Sequence, residues 1–264
     1  MANLIFAGDF VEYEDADITV RTENTSYPKA NINELWHLKK HFRAEDANTN
    51  DWLIKIDMGA ATALAAVFLN DVNFDKITIQ GHATDVWTSP SFMANFDIAK
   101  DERVQRYKAY CALTAFNYQW IRIFIQSGAT RVADPAVWAV GTLALLSTDA
   151  AKTITLSVSN VFPYEYEATK PYRDNPKLSG GKERIGLGQN LIWKGEVAFG
   201  KRHATQESEL WAINALDNAR PVIFFENEGD TQYAYLCTRD NDFHLSIEGN
   251  KRLRSDVIRF EELV

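Results

Sequence analysis

His37 and His41 stand four residues apart, the spacing that puts two imidazoles on one helix face where they could hold a metal ion. The zinc-protease pattern needs a glutamate directly after the first histidine, and Leu38 stands there. No third ligand accompanies the pair, so neither a metal nor another cofactor is expected. Gly180-Gly181-Lys182 resembles a fragment of a phosphate loop, but Glu183 follows the lysine and Pro176 occupies the first glycine's place. Gly186-Leu187-Gly188 has no strand–turn–helix setting and is read as loop glycine. Carboxylates cluster at Glu12, Glu14, Asp15 and Asp17 and again at Glu226, Glu228 and Asp230. Paired acids could hydrolyse a glycoside if they faced each other across a cleft. Nothing in their spacing places them so, and they read as strand ends and hairpin tips. Asp46 and Asp51 could offer hard oxygens to calcium. There is no GxSxG and no nucleophile setting around any Ser or Cys. The sequence therefore predicts no enzyme and no catalytic residue.

Trp87-Thr88-Ser89-Pro90-Ser91-Phe92-Met93 puts three large apolar groups into a predicted loop. Such groups can stack on sugars, dip into a membrane or anchor a protein partner. They can equally fold back on their own core. Trp87, Phe92 and Met93 are the candidate ligand-binding residues.

The elements that must position these residues are strands. Trp52, Ile54 and Ile56 alternate with Leu53, Lys55 and Asp57, and Met58-Gly59 is read as the strand's end. Ile77-Thr78-Ile79-Gln80-Gly81 repeats the pattern. Ile121, Ile123 and Ile125 alternate with Trp120, Arg122 and Phe124, and Ile154, Leu156 and Val158 with Thr155, Ser157 and Ser159. Residues 63–69 and 138–146 are continuously apolar, as in strands covered on both faces or in short buried helices. Residues 101–116 fit a helix or a strand. Ser147 to Lys152 reads as a linker, and Phe162 to Gly188, rich in Pro and Gly, as a long loop or arm. Leu191 to Phe199 reads as a strand, Thr205 to about Ala219 as a capped helix around Trp211, and four further strands follow from Pro221.

Composition agrees. The chain has 264 residues, 46% of them hydrophobic, with seven Trp, ten Tyr and fifteen Phe, so it can bury a large core. Its net charge of -8 gives no counterion-release gain on DNA or RNA, and nucleic acid is excluded as a partner. The basic trio Lys39, Lys40 and Arg43 is too short to change that. No apolar run approaches the ~20 residues that span a bilayer, so no membrane insertion is expected. Two distant cysteines, Cys111 and Cys237, and an N-terminus with no secretory leader pattern predict synthesis in a reducing cytoplasm.

Residues about 20–146 resemble the discoidin, or galactose-binding-like, jelly-roll sandwich. The resemblance runs through Tyr27-Pro28-Lys29-Ala30-Asn31-Ile32, Trp52-Leu53-Ile54-Lys55-Ile56-Asp57-Met58-Gly59, Ala66 to Leu69, Ile77 to Gly81, Trp120-Ile121-Arg122-Ile123 and Val140-Gly141-Thr142-Leu143. The family's terminal disulfide has no counterpart, and no ligand residue carries over. The whole layout is also similar to bacteriophage tail proteins, with Asn24-Thr25-Ser26-Tyr27-Pro28 leading into the sandwich and Gly195 to Phe199 and Arg220 to Phe225 in a second β domain.

The expected fold is all-β. A galactose-binding-like sandwich fills residues 1–147, and a second, mostly β domain with one helix and an arm at about 162–188 fills 148–264. The expected function is that of a structural virion protein in a tail tip, baseplate or distal tail, assembled in the host cytoplasm. It would form a homo-oligomer and contact other tail proteins. The alternative is a carbohydrate-binding protein that recognises host-surface glycan.

Overall fold

The computed structural model describes residues 3–8, 10–33, 35, 40–147, 153–157, 161–169, 172–176, 182–186, 190–199, 208, 211–212, 221–225, 231–242, 244–248 and 252–263. The fold is all-β, an N-terminal sandwich joined to a second, mostly β unit. In chain order, the stretch up to Ser147 holds β1 (Asn3–Ala7), which joins the second unit's sheet, and the sandwich strands β2 (Ile18–Val20), β3 (Phe42–Arg43), β4 (Asp51–Val72), β5 (Lys76–His82), β6 (Phe92–Asp97), β7 (Ala99–Asp101), β8 (Arg106–Ile125) and β9 (Ala139–Ser147). The second holds β10 (Thr153–Ser157), β11 (Val161–Thr169), β12 (Tyr172–Pro176), β13 (Lys182–Gly186), β14 (Asn190–Phe199), β15 (Val222–Phe225), β16 (Ala234–Arg239), β17 (Leu245–Glu248), β18 (Arg252–Ser255) and β19 (Ile258–Glu262).

Two long strands build the sandwich. The front of β4 and the back of β8 pair with each other, with β2 on one side and β5 and then β6 on the other. The back of β4 and the front of β8 pair again, now flanked by β9, β3 and β7. Met58-Gly59 does not end the strand as its sequence suggests. Pairing is interrupted between Asp57 and Thr62, Gly59 takes φ +71°, and the chain bends from one layer into the other. A glycine reaches that left-handed backbone without the Cβ penalty. The ambiguous stretch 101–116 is a turn followed by the start of β8, not a helix.

The core between the layers follows the alternation. Ile54, Ile56, Ile77, Ile79, Ile121 and Ile123 from one layer meet Val67, Leu69, Cys111, Val140 and Leu145 from the other. The second layer is apolar on its far face as well. There Ala66, Phe68, Ala144 and Leu146 pack against Ile223, Ala234 and Leu236 of the second unit. That double coverage is why residues 63–69 and 138–146 read as unbroken apolar runs.

The second unit is a nine-stranded sheet in the order β10-β1-β15-β16-β19-β14-β18-β17, with β11 also on β14. The boundary near Ser147 separates β9 from β10, but β1 pairs with β10 and β15, so residues 3–7 belong to the second sheet. Buried Trp193, Phe224, Tyr235 and Phe260 form its aromatic centre, with Trp193 and Phe224 centroids 5.2 Å apart. The stretch expected to be a loop or arm contains regular structure. β11 joins the sheet, with a register shift between Val161 and Tyr164 that accommodates Pro163, and β12 and β13 form a hairpin. Of the helix expected over 205–219, Ser208, Trp211 and Ala212 are helical and the rest lies outside the described residues.

Candidate functional site

The front layer of the sandwich has one face in the core and one facing away from both the core and the second unit. Alternation sends the non-isoleucine positions of β5 and β8 to that outer face. In β4 the register shift between Trp52 and Ile54 overrides it: Trp52, expected beside Ile54 and Ile56, turns outward, and Leu53 is buried in the core. Three cross-strand rows result. Lys55, Arg122, Gln80 and Met93 lie side by side across β4, β8, β5 and β6. Trp52, Phe124, Thr78 and Asn95 form the row on one side. Asp57, Trp120 and His82 form the row on the other.

The cations lie over the rings. Lys55 Nζ is 4.9 Å from the Trp52 centroid and 5.9 Å from that of Trp120. Arg122 Cζ is 4.3 Å from the Trp87 ring and 5.4 Å from Phe124. Trp87 comes from the loop between β5 and β6 and is held by Asp85, whose carboxylate accepts its indole N–H. The same carboxylate accepts two hydrogen bonds from Lys55 Nζ, both 2.8 Å. Partial burial pushes the Asp85 carboxyl up, but the Lys55 and Trp87 hydrogen bonds and the charges of Lys55 and Arg122 outweigh this and hold it below its ordinary value. Burial pulls the Arg122 guanidinium down, against Asp51 and Asp85, yet arginine starts so high that it stays a cation. Its Nε donates to Gln80 Oε1 at 2.6 Å.

The three candidate residues separate on this frame. Trp87 is half-buried on the outer face, and Met93, 59% exposed, stands at that face's far edge. Phe92 alternates to the other side of β6 and packs into the rim of the core, 5.2 Å from Phe116 and 6.4 Å from Tyr118, centroid to centroid. The larger part of the face is supplied by Trp52, Lys55, Gln80, Trp120, Arg122 and Phe124, none of which was singled out in the sequence. For β8 the signal was present in the second half of the alternation, whereas the bulge that turns Trp52 outward left no trace in the sequence. Where Ile121, Ile123 and Ile125 mark the core, Trp120, Arg122 and Phe124 are too large and too varied for a merely solvated face.

The other chemistry-bearing residues resolve as follows. His41 Nε2 lies 2.7 Å from Asp71 Oδ2, and His37 is outside the described residues. No group of three metal-ligating side chains occurs among the described residues. Asp46 and Asp51 both pair with Arg21, which puts a guanidinium where a calcium ion would need to sit. Glu12, Glu14 and Asp15 are exposed, and Asp17 caps the turn by accepting from Glu14 N at 2.8 Å. Glu226, Glu228 and Asp230, and the glycines of the phosphate-loop fragment, lie outside the described residues. Arg43 of the basic trio stacks on Tyr27, 3.6 Å from its centroid. Cys111 and Cys237 are free and buried, and burial raises both thiols. No described helix is long and apolar enough to cross a membrane.

Fold and face together define an antiparallel β-sandwich with an aromatic, cation-bearing sheet surface, carried on a second β unit. No family model matches the chain, and no curated protein matches it. Among solved structures, it is similar to a family 89 glycoside hydrolase of Clostridium perfringens in complex with GlcNAc-alpha-1,4-galactose. That match has 12% identity and a TM-score of 0.35, covering 51% of this chain and 14% of that one. The lectin domain of lectinolysin complexed with Lewis B antigen matches at 10% identity and a TM-score of 0.34, over 50% of this chain and 92% of that one.

Proposed function

We propose that this protein binds carbohydrate through the outer face of its front sheet and acts by binding rather than catalysis. The observation that carries the reading is the gathering of Trp52, Trp87, Trp120 and Phe124 on one solvent-facing surface, interleaved with Lys55, Gln80, Asp85 and Arg122. A pyranose presents an apolar face of C–H groups and a rim of hydroxyls. Flat rings accept the first, and the polar side chains between them satisfy the second. The galactose-binding-like resemblance of residues 20–146 supports the same reading. A glycan array tests it: the intact chain is expected to retain a defined set of glycans, and Trp120→Ala to lose them. An array with no bound glycan sinks the proposal.

A second reading, compatible with the first, is a structural virion protein of a bacteriophage tail. In this reading the protein is assembled in the host cytoplasm as a homo-oligomer, contacts other tail proteins and carries the sandwich as a panel for host-surface glycan. The hairpin β12–β13 favours it, because it pairs with no other strand among the described residues. A two-stranded hairpin is marginal by itself and gains stability from a partner sheet. Mass photometry of the intact chain is the test, and a strict monomer at micromolar concentration counts against this reading.

A further inference from the structure

Arg122 stands apart from the neighbouring cations of the sandwich. Lys55 has Asp85, and Arg21 has Asp46 and Asp51. Arg122 is 9% exposed and makes one hydrogen bond, from Nε to Gln80. No carboxylate lies within ion-pair distance of it among the described residues. No terminal nitrogen of Arg122 is among the buried polar atoms without a hydrogen-bond partner, so these nitrogens keep contact with solvent. The guanidinium plane is fixed, with Trp87 4.3 Å and Phe124 5.4 Å from its carbon. A flexible chain has thus been immobilised with its bidentate edge unoccupied. That edge matches the two oxygens of a carboxylate in shape and charge.

Trp120 lies two residues along β8 on the same face, about 7 Å away at the strand rise. That is roughly the width of one pyranose, so a ring on Trp120 brings a substituent to Arg122. We infer that the face takes an acidic glycan, whose sugar ring lies on Trp120 and whose carboxylate is received by the terminal amino groups of Arg122. This rests on the carbohydrate-binding reading and narrows it. Uronic acids and sialic acids both supply the group. With a chain net charge of -8, no long-range field draws the anion in, and selection is made by contact.

The experiment measures calorimetric affinities of the intact chain for matched pairs. These are tetragalacturonate against its carboxyl-reduced counterpart, and sialyllactose against lactose. At least one acidic member is expected to bind tenfold or more tightly than its neutral match, and the pair that shows this identifies the source. Arg122→Gln is expected to equalise that pair, and Trp120→Ala to weaken both members. The wild-type comparison needs no variant, so a misfolded Arg122→Gln leaves the test intact. Equal affinities for acidic and neutral members overturn the inference and leave carbohydrate binding standing. No binding of any probe, with an array equally blank, removes both.

Discussion

Two side chains carry more than their share of the molecule. Asp85 joins Lys55 to Trp87, so its charge decides whether the indole stays over Arg122. Its folded pKa lies below its ordinary value, so the ionised carboxylate adds stability that is complete above the ordinary aspartate range. That contribution is lost only as pH falls through the lowered folded value. Indole emission of the native chain is expected to hold through mild acid and change below that range. Asp85→Asn should show the released signal at neutral pH and no such titration, and Trp87→Phe should lack it. Identical acid titrations of native and Asp85→Asn chains would refute the role. Lys108 is the second. It is fully buried, 2.9 Å from Asp101 and 3.6 Å from Glu262, with its Nζ 3.4 Å from the Tyr235 centroid. Lys108→Met leaves two buried carboxylates short of a cation, and a loss of about 3–5 kcal/mol is expected in urea unfolding. Neither role could be read beforehand. Trp87 was legible because a tryptophan beside Pro and Ser in a turn-rich stretch stands out. Asp85 and Lys108 are ordinary charges until pairing across distant segments gives them partners.

Glycines separate what a strand does from what its neighbours allow. At Gly59 a new Cβ would meet nothing within 4 Å, so only the φ of +71° opposes alanine. Gly59→Ala is expected to cost about 1–2 kcal/mol through backbone strain alone. At Gly81 the backbone is ordinary, but a Cβ would lie 2.6 Å from Phe116 Cε2 and 2.8 Å from Tyr118 Cδ2. Phe116 packs edge-on against both Phe92 and Tyr118, so these rings have little room to retreat. Gly81→Ala is expected to cost about 1–3 kcal/mol by overpacking and to disturb the Phe92 rim. Thermal unfolding of both variants checks the contrast, and a neutral Gly81→Ala would show that the rim is loosely packed. The strands themselves were largely legible, because period-two alternation marks a half-buried sheet. What alternation could not show was continuity. A glycine that ends one strand and a glycine that bends it look alike in sequence. The arm misled for a related reason: Pro163 and the glycines outweighed the alternation of Tyr164, Glu165, Tyr166 and Glu167, in which Glu165 and Glu167 stand exposed beside Lys194.

The molecule as a whole is tied together across its middle layer. Phe68 and Leu146 of the sandwich pack on Ile223 and Leu236 of the second sheet. Beside them Glu262 of β19 reaches Arg106 at 2.9 Å, and Arg103 lies 4.3 Å from the Tyr233 ring. The chain enters through β1 in the second sheet, builds the sandwich, and returns to the same sheet through β10. A division at Ser147 therefore parts segments that the fold interlocks. Sequence order could not reveal this, since β1 meets its partners only after more than half the chain has been laid down. The physical consequence is cooperativity: the second unit covers the apolar far face of the sandwich's back layer, and its Glu262 completes the pairing of Arg106 and Lys108. One unfolding transition is expected by calorimetry and by tryptophan emission alike, and Phe68→Ala should lower it by about 3–5 kcal/mol without splitting it. Residues 8–147 made alone should expose Ala66, Phe68, Ala144 and Leu146 and bind a hydrophobic dye. Two separated transitions in the intact chain, or a dye-silent soluble fragment, would show that the sandwich stands without its support. The aromatic outer face would then belong to an independent module rather than to the front of a braced panel.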